Sequence, residues 1–324
     1  MEGIFVLAEH RQGELRDITF EMLTKGKNLS RDMGKALTAV LFGHNAGELA
    51  DHLKTWADRV ILVEDPRLEN YNSEAYQNVL ENLVAHEKPV LMLVGHTAFG
   101  MDLGPRLAVA INAPIVTDCV DVMIENEQIK AIRQVYGGKL NVEVRVKPAG
   151  TSMFTIRPAS FSAEAYASQG EVVKTASPLA EEVAAKRFVE YVEAAVGEVD
   201  ITQSDILVSV GRGIKDQDNI PLVQELADSL GAALSCSRPV VDKKWLPKER
   251  QVGTSGKTVK PKVYIAIGIS GAFQHVAGMK ASGTIIAVNK DAKAPIFNVA
   301  DYGIVGDLFK VVPALKEKVS EMLA

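Results

Sequence analysis

The run Val263-Tyr264-Ile265-Ala266-Ile267-Gly268-Ile269-Ser270-Gly271-Ala272-Phe273-Gln274-His275 holds the residue types and spacing best suited to ligand chemistry in this chain. A short apolar strand runs into a glycine-containing turn and then into a helix start. Backbone N–H groups at such a turn face outward, and the helix dipole adds partial positive charge, so the place suits a phosphate. Gly268 and Gly271 carry no side chain, which predicts close approach of a phosphate or a ribityl chain. The pattern is not G-x-G-x-x-G, so a nicotinamide dinucleotide is not signalled. Taken alone, a strand–glycine–helix junction more often merely connects elements. His275 falls in the first turn of the helix, where a nearby anion favours the imidazolium and the dipole opposes it.

Five more loops carry candidate chemistry. Gln251-Val252-Gly253-Thr254-Ser255-Gly256-Lys257 is dense in hydroxyls and glycines. It approaches a P-loop only loosely, because the Gly-x-x-x-x-Gly-Lys-Ser/Thr spacing is absent, and an NTPase is a poor reading. Ser237-Arg238-Pro239 places a guanidinium after a strand end, where it can lie over an aromatic ring or simply be solvated. Arg212 in Gly211-Arg212-Gly213 follows another strand, and Asn289-Lys290-Asp291 and Asp307-Leu308 end two more. In doubly wound sheets the ends of the strands are the ligand edge. The convergence of these loops on one crevice carries more weight than any one of them. Among His10, His44, His52, His86 and His96 there is no metal-ligand spacing, and no acid/base pair or nucleophile–base set can be argued in the N-terminal half. That half reads as a scaffold or docking surface.

The elements that must position these loops follow from the apolar pattern. Ile4–Glu9, Leu37–Gly43, Arg59–Asp65 and Val90–Gly95 are short Val/Ile/Leu-rich runs of the kind that form buried parallel strands. Helices are predicted from Ser73 to before Pro89 and over Gly100–Ala110, with Pro105 near the first turn of the latter. Val116–Ile124, Ala131–Tyr136, Leu140–Lys147 and Met153–Arg157 read as further strands, the middle two joined by a Gly137-Gly138-Lys139 hairpin. Ala163–Ser177 reads as loop and Glu181–Val196 as a charged amphipathic stretch. The polar segment Asp200–Asp205 reads as the domain junction and as a hinge. Beyond it, strands are predicted at Ile206–Val210, Ala232–Ser235, Val263–Ile267, Thr284–Val288 and Tyr302–Val305, with a helix over Asn219–Leu230. The expected fold is α/β in two domains. Residues 1–202 form an N-terminal α/β sheet like that of the nucleotide hydrolases, and residues 203–324 a doubly wound parallel domain.

Composition narrows the function classes. The chain has 324 residues, 47% hydrophobic and 24% charged, which excludes a disordered or fibrous protein. A net charge of −5 argues against a nucleic-acid binder, and 6% aromatic residues argue against single-strand stacking platforms. Two cysteines, Cys119 and Cys236, exclude a four-thiolate cluster built from this chain alone and read as reduced, buried thiols. The N-terminus lacks the features of a signal peptide, and no apolar run is long enough for a membrane helix, so a cytoplasmic location is expected.

The motifs from Gln251-Val252-Gly253 through Gly268-Ile269-Ser270-Gly271-Ala272-Phe273-Gln274-His275-Val276-Ala277-Gly278-Met279 carry a family likeness. So do Ile286-Ala287-Val288-Asn289-Lys290-Asp291, Ala294-Pro295-Ile296-Phe297 and Ala300-Asp301-Tyr302-Gly303-Ile304-Val305-Gly306-Asp307-Leu308. Together they strongly resemble the alpha subunit of electron transfer flavoproteins. The resemblance implies FAD as cofactor, held by the C-terminal domain, and a beta subunit with its own FAD or AMP packed against the N-terminal domain. It implies an electron carrier that serves a flavin dehydrogenase such as an acyl-CoA dehydrogenase. In one branch it implies an electron-bifurcating protein coupled to NADH and ferredoxin. Carried over residue by residue, Arg238 lies over the isoalloxazine ring, Ser255 offers its hydroxyl to flavin N5 where many members carry threonine, and His275 sits near N1 and the C2 carbonyl. Ser270, Gly271, Ala272, Phe273 and Gln274 line the ribityl and pyrophosphate region. Arg212, Ser237, Val252, Gly253, Thr254, Asn289, Asp307 and Leu308 complete the envelope, the last two toward the adenosine. A cationic or donor group at Arg238 and His275 would favour a flavin that gains negative charge.

Overall fold

The computed structural model describes residues 3–126, 128–136, 140–147, 150–165, 168–180, 186, 188–191 and 200–323. The chain divides into two compact units, Met1–Val135 with Leu140–Tyr191 and Val192–Ala324 with Tyr136–Lys139.

The first unit opens with β1 (Ile4–Leu7), a small β2–β3 hairpin (His10–Arg11, Glu14–Leu15) and α1 (Asp17–Met33). It continues with β4 (Leu37–Gly43), α2 (Gly47–Leu53), β5 (Arg59–Glu64), α3 (Ser73–Glu87), β6 (Leu91–Gly95) and α4 (Ala98–Ala110). Then come β7 (Ile115–Glu125), β8 (Gln128–Val135), β9 (Leu140–Arg145), β10 (Ser152–Ile156) and β11 (Glu171–Thr175). The strands form one sheet of nine in the order β11-β5-β4-β1-β6-β10-β7-β8-β9. It is parallel from β11 to β7, and β8 and β9 extend it antiparallel. Alternate strand residues face opposite cores. Ile4, Val6, Leu91 and Leu93 pack with Ile18, Met22 and Leu29 of α1, while Phe5, Leu7, Met92 and Val94 pack with α3 and α4 through Val79, Leu80, Leu103 and Leu107. Such two-sided burial is why these strands read as unbroken apolar runs.

Several expectations are corrected here. The stretch expected as loop at Ala163–Ser177 contains β11, which pairs in parallel with β5 from Glu171↔Arg59 to Thr175↔Val63. It is an outer strand with Glu171 and Lys174 exposed and none of its residues fully buried, so it lacks the buried run that marks a central strand. Pro105 lies well inside α4 rather than in its first turn. It sits on the exposed side of the helix together with Met101, the residue whose carbonyl would otherwise accept an N–H from that position. The Gly137-Gly138-Lys139 turn and most of 181–196 lie outside the described residues, although the strands flanking the turn pair antiparallel from Lys130↔Arg145 to Val135↔Leu140.

The second unit contains β12 (Ile206–Val210), α5 (Ile220–Ser229), β13 (Ala233–Cys236), α6 (Arg238–Asp242), β14 (Val263–Ile267), α7 (Phe273–Val276), β15 (Thr284–Asn289), β16 (Tyr302–Val305) and α8 (Leu308–Leu323). Its five strands are all parallel in the order β13-β12-β14-β15-β16. One face, with Val208, Val210, Ile265 and Ile267, is covered by α5 and α8. The other face, with Leu207, Tyr264, Ala266 and Ala287, is covered by Val252, Val259, Met279 and Ile296 from loops and short helical turns. The Asp200–Asp205 segment, expected as a hinge, is tied to this unit. Ile201 is fully buried in the second core, and Asp200 pairs with Lys257 at 2.9 Å.

Candidate functional site

Because all five strands of the second sheet point the same way, their carboxyl ends share one edge. The segments leaving that edge are Gly211–Gly213, Ser237–Arg238, Gly268–His275, Asn289–Asp291 and Gly306–Leu308. The strand order reverses direction between β12 and β14, the kind of switch point where open α/β sheets open a crevice. The 251–257 segment joins the same edge: Val252 N–H donates to the Cys236 carbonyl at 2.9 Å, and Thr254 N–H donates to the Gln274 carbonyl at 2.9 Å.

The glycine turn after β14 is built by packing against its neighbours. Gly268 has φ +63° and a Cβ there would meet Gly213 Cα at 3.0 Å; Gly271 has φ +83° and a Cβ would meet Ile296 N at 2.1 Å. Both positions therefore require glycine through backbone contact within the domain, not through ligand approach alone. Among the described residues, the N–H groups of Ser270, Gly271 and Ala272 donate to no acceptor within the protein. They form a set of available donors on the edge.

The side chains expected in the site fall into two groups. Arg212, Arg238, Thr254, Ser255, Ser270, Ala272 and Gln274 are exposed. Arg238 heads α6 and approaches Asp242 at 3.5 Å, and Phe273 is half-buried at the start of α7. Ser255 accepts a hydrogen bond from the Gln251 amide at 2.9 Å, which leaves its own hydroxyl proton free to be donated. The second group is spent on the frame. Asn289 Nδ2 donates to the Ile269 carbonyl at 2.8 Å, so its amide holds the glycine turn. Asp307 accepts from Phe309 N–H at 3.1 Å and starts α8. Leu308, Val252, Gly253 and Ser237 are buried.

His275 also belongs to the frame. Its ring is 6% exposed, with Nδ1 3.1 Å from the Val252 carbonyl and Nε2 2.9 Å from the Tyr264 hydroxyl. A carbonyl only accepts, so Nδ1 carries the proton and Nε2 accepts from the phenol. Burial pushes its pKa down to about 4, against a smaller opposing contribution from the Val252 bond. The residue expected as a cationic or donor group is a neutral, fully engaged imidazole.

Sequence reasoning missed Gln251, Tyr264, Ser209 and Ser235. Gln251 and the two serines are buried polar residues, and Tyr264 is the largest fully buried side chain. The signal was a tyrosine and two serines inside otherwise aliphatic strands, where a polar atom needs a partner. The available donors, exposed hydroxyls and two arginines suit an anionic ligand with a diphosphate and a polar ring system. No cluster of metal-ligating side chains exists among the described residues, nor any helix long and apolar enough to cross a membrane.

Comparison with known proteins bears on this edge directly. Residues 4–196 match the family described as electron transfer flavoprotein domain, and residues 200–280 match the electron transfer flavoprotein FAD-binding domain. The chain is 39% identical to the electron transfer flavoprotein subunit alpha of Clostridium acetobutylicum, over 97% of this chain and 96% of that one. It is 40% identical to the acryloyl-CoA reductase electron transfer subunit beta of Anaerotignum propionicum, over 98% and 95%. It is 37% identical to the lactate dehydrogenase (NAD(+),ferredoxin) subunit LctC of Acetobacterium woodii, over 97% of this chain and 76% of that one. The edge, its donors and these matches along the whole chain lead to one conclusion: the chain belongs to the electron transfer flavoprotein family, as an alpha subunit whose cofactor is FAD.

Proposed function

We propose that the carboxyl edge of the second sheet holds the FAD through the residues expected from the sequence, in roles that the geometry refines. Ser270, Gly271, Ala272, Phe273 and Gln274 lie along the ribityl chain and pyrophosphate, served by the available N–H groups of the turn. Arg238 and Ser255 face the isoalloxazine, the first as a cation and the second as a donor to N5. Arg212, Ser237, Val252, Gly253, Thr254, Asn289, Asp307 and Leu308 close the envelope, several of them by shaping the loops. His275 orders the 252–255 segment and stays uncharged. Bound FAD supplies one-electron chemistry, and these residues set its affinity and potential.

The chain works in a heterodimer with a beta subunit. The first compact unit serves as the docking unit, and the second, which takes in Asp200 and Ile201, as the flavin unit. The electron donor is a flavin dehydrogenase of the acyl-CoA dehydrogenase type, a reading supported by the relative named for acryloyl-CoA reductase. The observation that carries the proposal is the Ser270–Ala272 turn, with its free donors fixed at the switch point of a parallel sheet. Adding a bulky acidic group there, as in Ala272→Asp, should abolish flavin retention by the folded heterodimer. Full retention would reject the assignment.

A second reading, bifurcation, has its own support in the relative named for NAD(+) and ferredoxin. Counting FAD and AMP per heterodimer separates the two. Two FAD support bifurcation, and one FAD with one AMP supports the simple carrier.

A further inference from the structure

We infer that Tyr264 is a positioning residue for the flavin edge: its hydroxyl fixes the tautomer and orientation of His275, and the His275 ring then bolts the 252–255 loop to the 268–275 loop. The inference rests on the flavin reading for its functional consequence, but not for its geometry.

Tyr264 is the second residue of β14 and has no exposed surface. Its phenol donates to His275 Nε2, which leaves Nδ1–H to donate to the Val252 carbonyl. Val252 is held in turn at the end of β13 by its own N–H on the Cys236 carbonyl. Two residues further, Thr254 N–H reaches back to the Gln274 carbonyl beside the histidine. Two loops of the edge are thus crossed twice, once by backbone and once by the imidazole. Beneath the phenol, Ser209 and Ser235 face each other in register on β12 and β13 and are fully buried. Their hydroxyls have no hydrogen-bond partner among the described residues.

Phenylalanine at position 264 would keep the ring and remove the donor. Nε2 would then have no partner in a buried site, and the ring would be free to turn or to change tautomer. The displaced 252–255 loop includes Ser255, so the effect would reach the flavin without Tyr264 touching it.

The test uses the intact heterodimer with selectively 15N-labelled histidine in this chain, the His275 signal being assigned by its loss in His275→Gln. The wild-type ring should show protonated Nδ1 and unprotonated Nε2, without titration between pH 5.5 and pH 8.5. In Tyr264→Phe both tautomers should appear, and FAD should bind about fivefold more weakly. The effect of Ser255→Ala on the flavin potential should shrink in that background, because the loop is already misplaced. A wild-type ring protonated at Nε2, or titrating near its ordinary value, overturns the inference without any variant. So does a folded Tyr264→Phe protein with unchanged tautomer and affinity. A heterodimer that binds no FAD would instead reject the flavin reading, and the tautomer measurement would still decide the role of Tyr264.

Discussion

Gln251 and Ser255 stand in a donor–acceptor relationship: the buried Gln251 amide donates through Nε2 to the exposed Ser255 hydroxyl oxygen at 2.9 Å. The amide pins the oxygen from the protein side and turns the hydroxyl proton outward, where flavin N5 is placed by the proposed pose. Threonine keeps that oxygen and proton, so Ser255→Thr should behave as wild type. Ser255→Ala should lower the flavin potential by roughly 40 mV, the equivalent of about 1 kcal/mol for one hydrogen bond. Its thermal stability should fall modestly as well, because the buried Gln251 amide loses its acceptor. Redox titration of the two variants checks both statements.

In the proposed pose Arg238 is a second, independent lever on the same potential. It heads α6 at the end of β13, is exposed, and is only loosely paired with Asp242. If Arg238 lies beside the flavin as proposed, removing its cation should make reduction of the ring, which gains negative charge, harder. Arg238→Ala should lower the potential by some tens of mV, and Asp242→Asn should raise it by less. Both shifts should shrink in high salt, since the groups are exposed. Equal potentials for wild type and Arg238→Ala at low salt would remove Arg238 from the site.

In the first unit, Glu9 makes stability depend on pH. Its carboxylate follows β1, is 6% exposed, and accepts from the Thr97 hydroxyl at 2.9 Å through either oxygen. Burial raises its pKa to about 7, with the Thr97 bond and Arg16 opposing. The folded state therefore holds its proton more tightly than the unfolded chain. Stability is fullest below the ordinary carboxyl pKa and is lost as pH rises toward 7, by about 3 kcal/mol. Glu9→Gln keeps an acceptor for Thr97 and should flatten this slope. Urea unfolding at pH 5 and pH 8, followed by Trp56 fluorescence in a Trp245→Phe background, measures it.

The glycine turn can be tested apart from redox chemistry. An alanine at position 271 would have to hold a left-handed φ and would strike Ile296 N. Gly271→Ala should destabilise the second unit by about 2–4 kcal/mol and lower FAD content with it. Unfolding curves monitored by Trp245 fluorescence report this directly.

The parts of the fold that were legible in the sequence are those whose burial is two-sided. Leu37–Gly43 and Val263–Ile267 are predominantly apolar runs because both faces are covered, and they occur where the runs predict. The outer strand β11 was not legible, because half-exposed residues such as Glu171 and Lys174 leave no apolar run and backbone pairing alone defines it. In the candidate site, the loops and their common edge could be read from glycines, hydroxyls and strand ends. The charge state of His275 could not. It depends on Tyr264, a residue eleven positions away on the preceding strand, and on Val252 from a loop. Local sequence shows a histidine at a helix start, and only the tertiary packing shows that both its nitrogens are occupied.

The most direct measurement is the visible spectrum and flavin content of the heterodimer formed by this chain and its beta subunit, compared between wild type and Ala272→Asp. The account requires a yellow protein with FAD in the second unit, reducible by one electron at a time, and a folded variant that has lost that flavin. A folded wild-type heterodimer that is colourless and takes up no added FAD, or a variant that keeps all of its flavin, would contradict it.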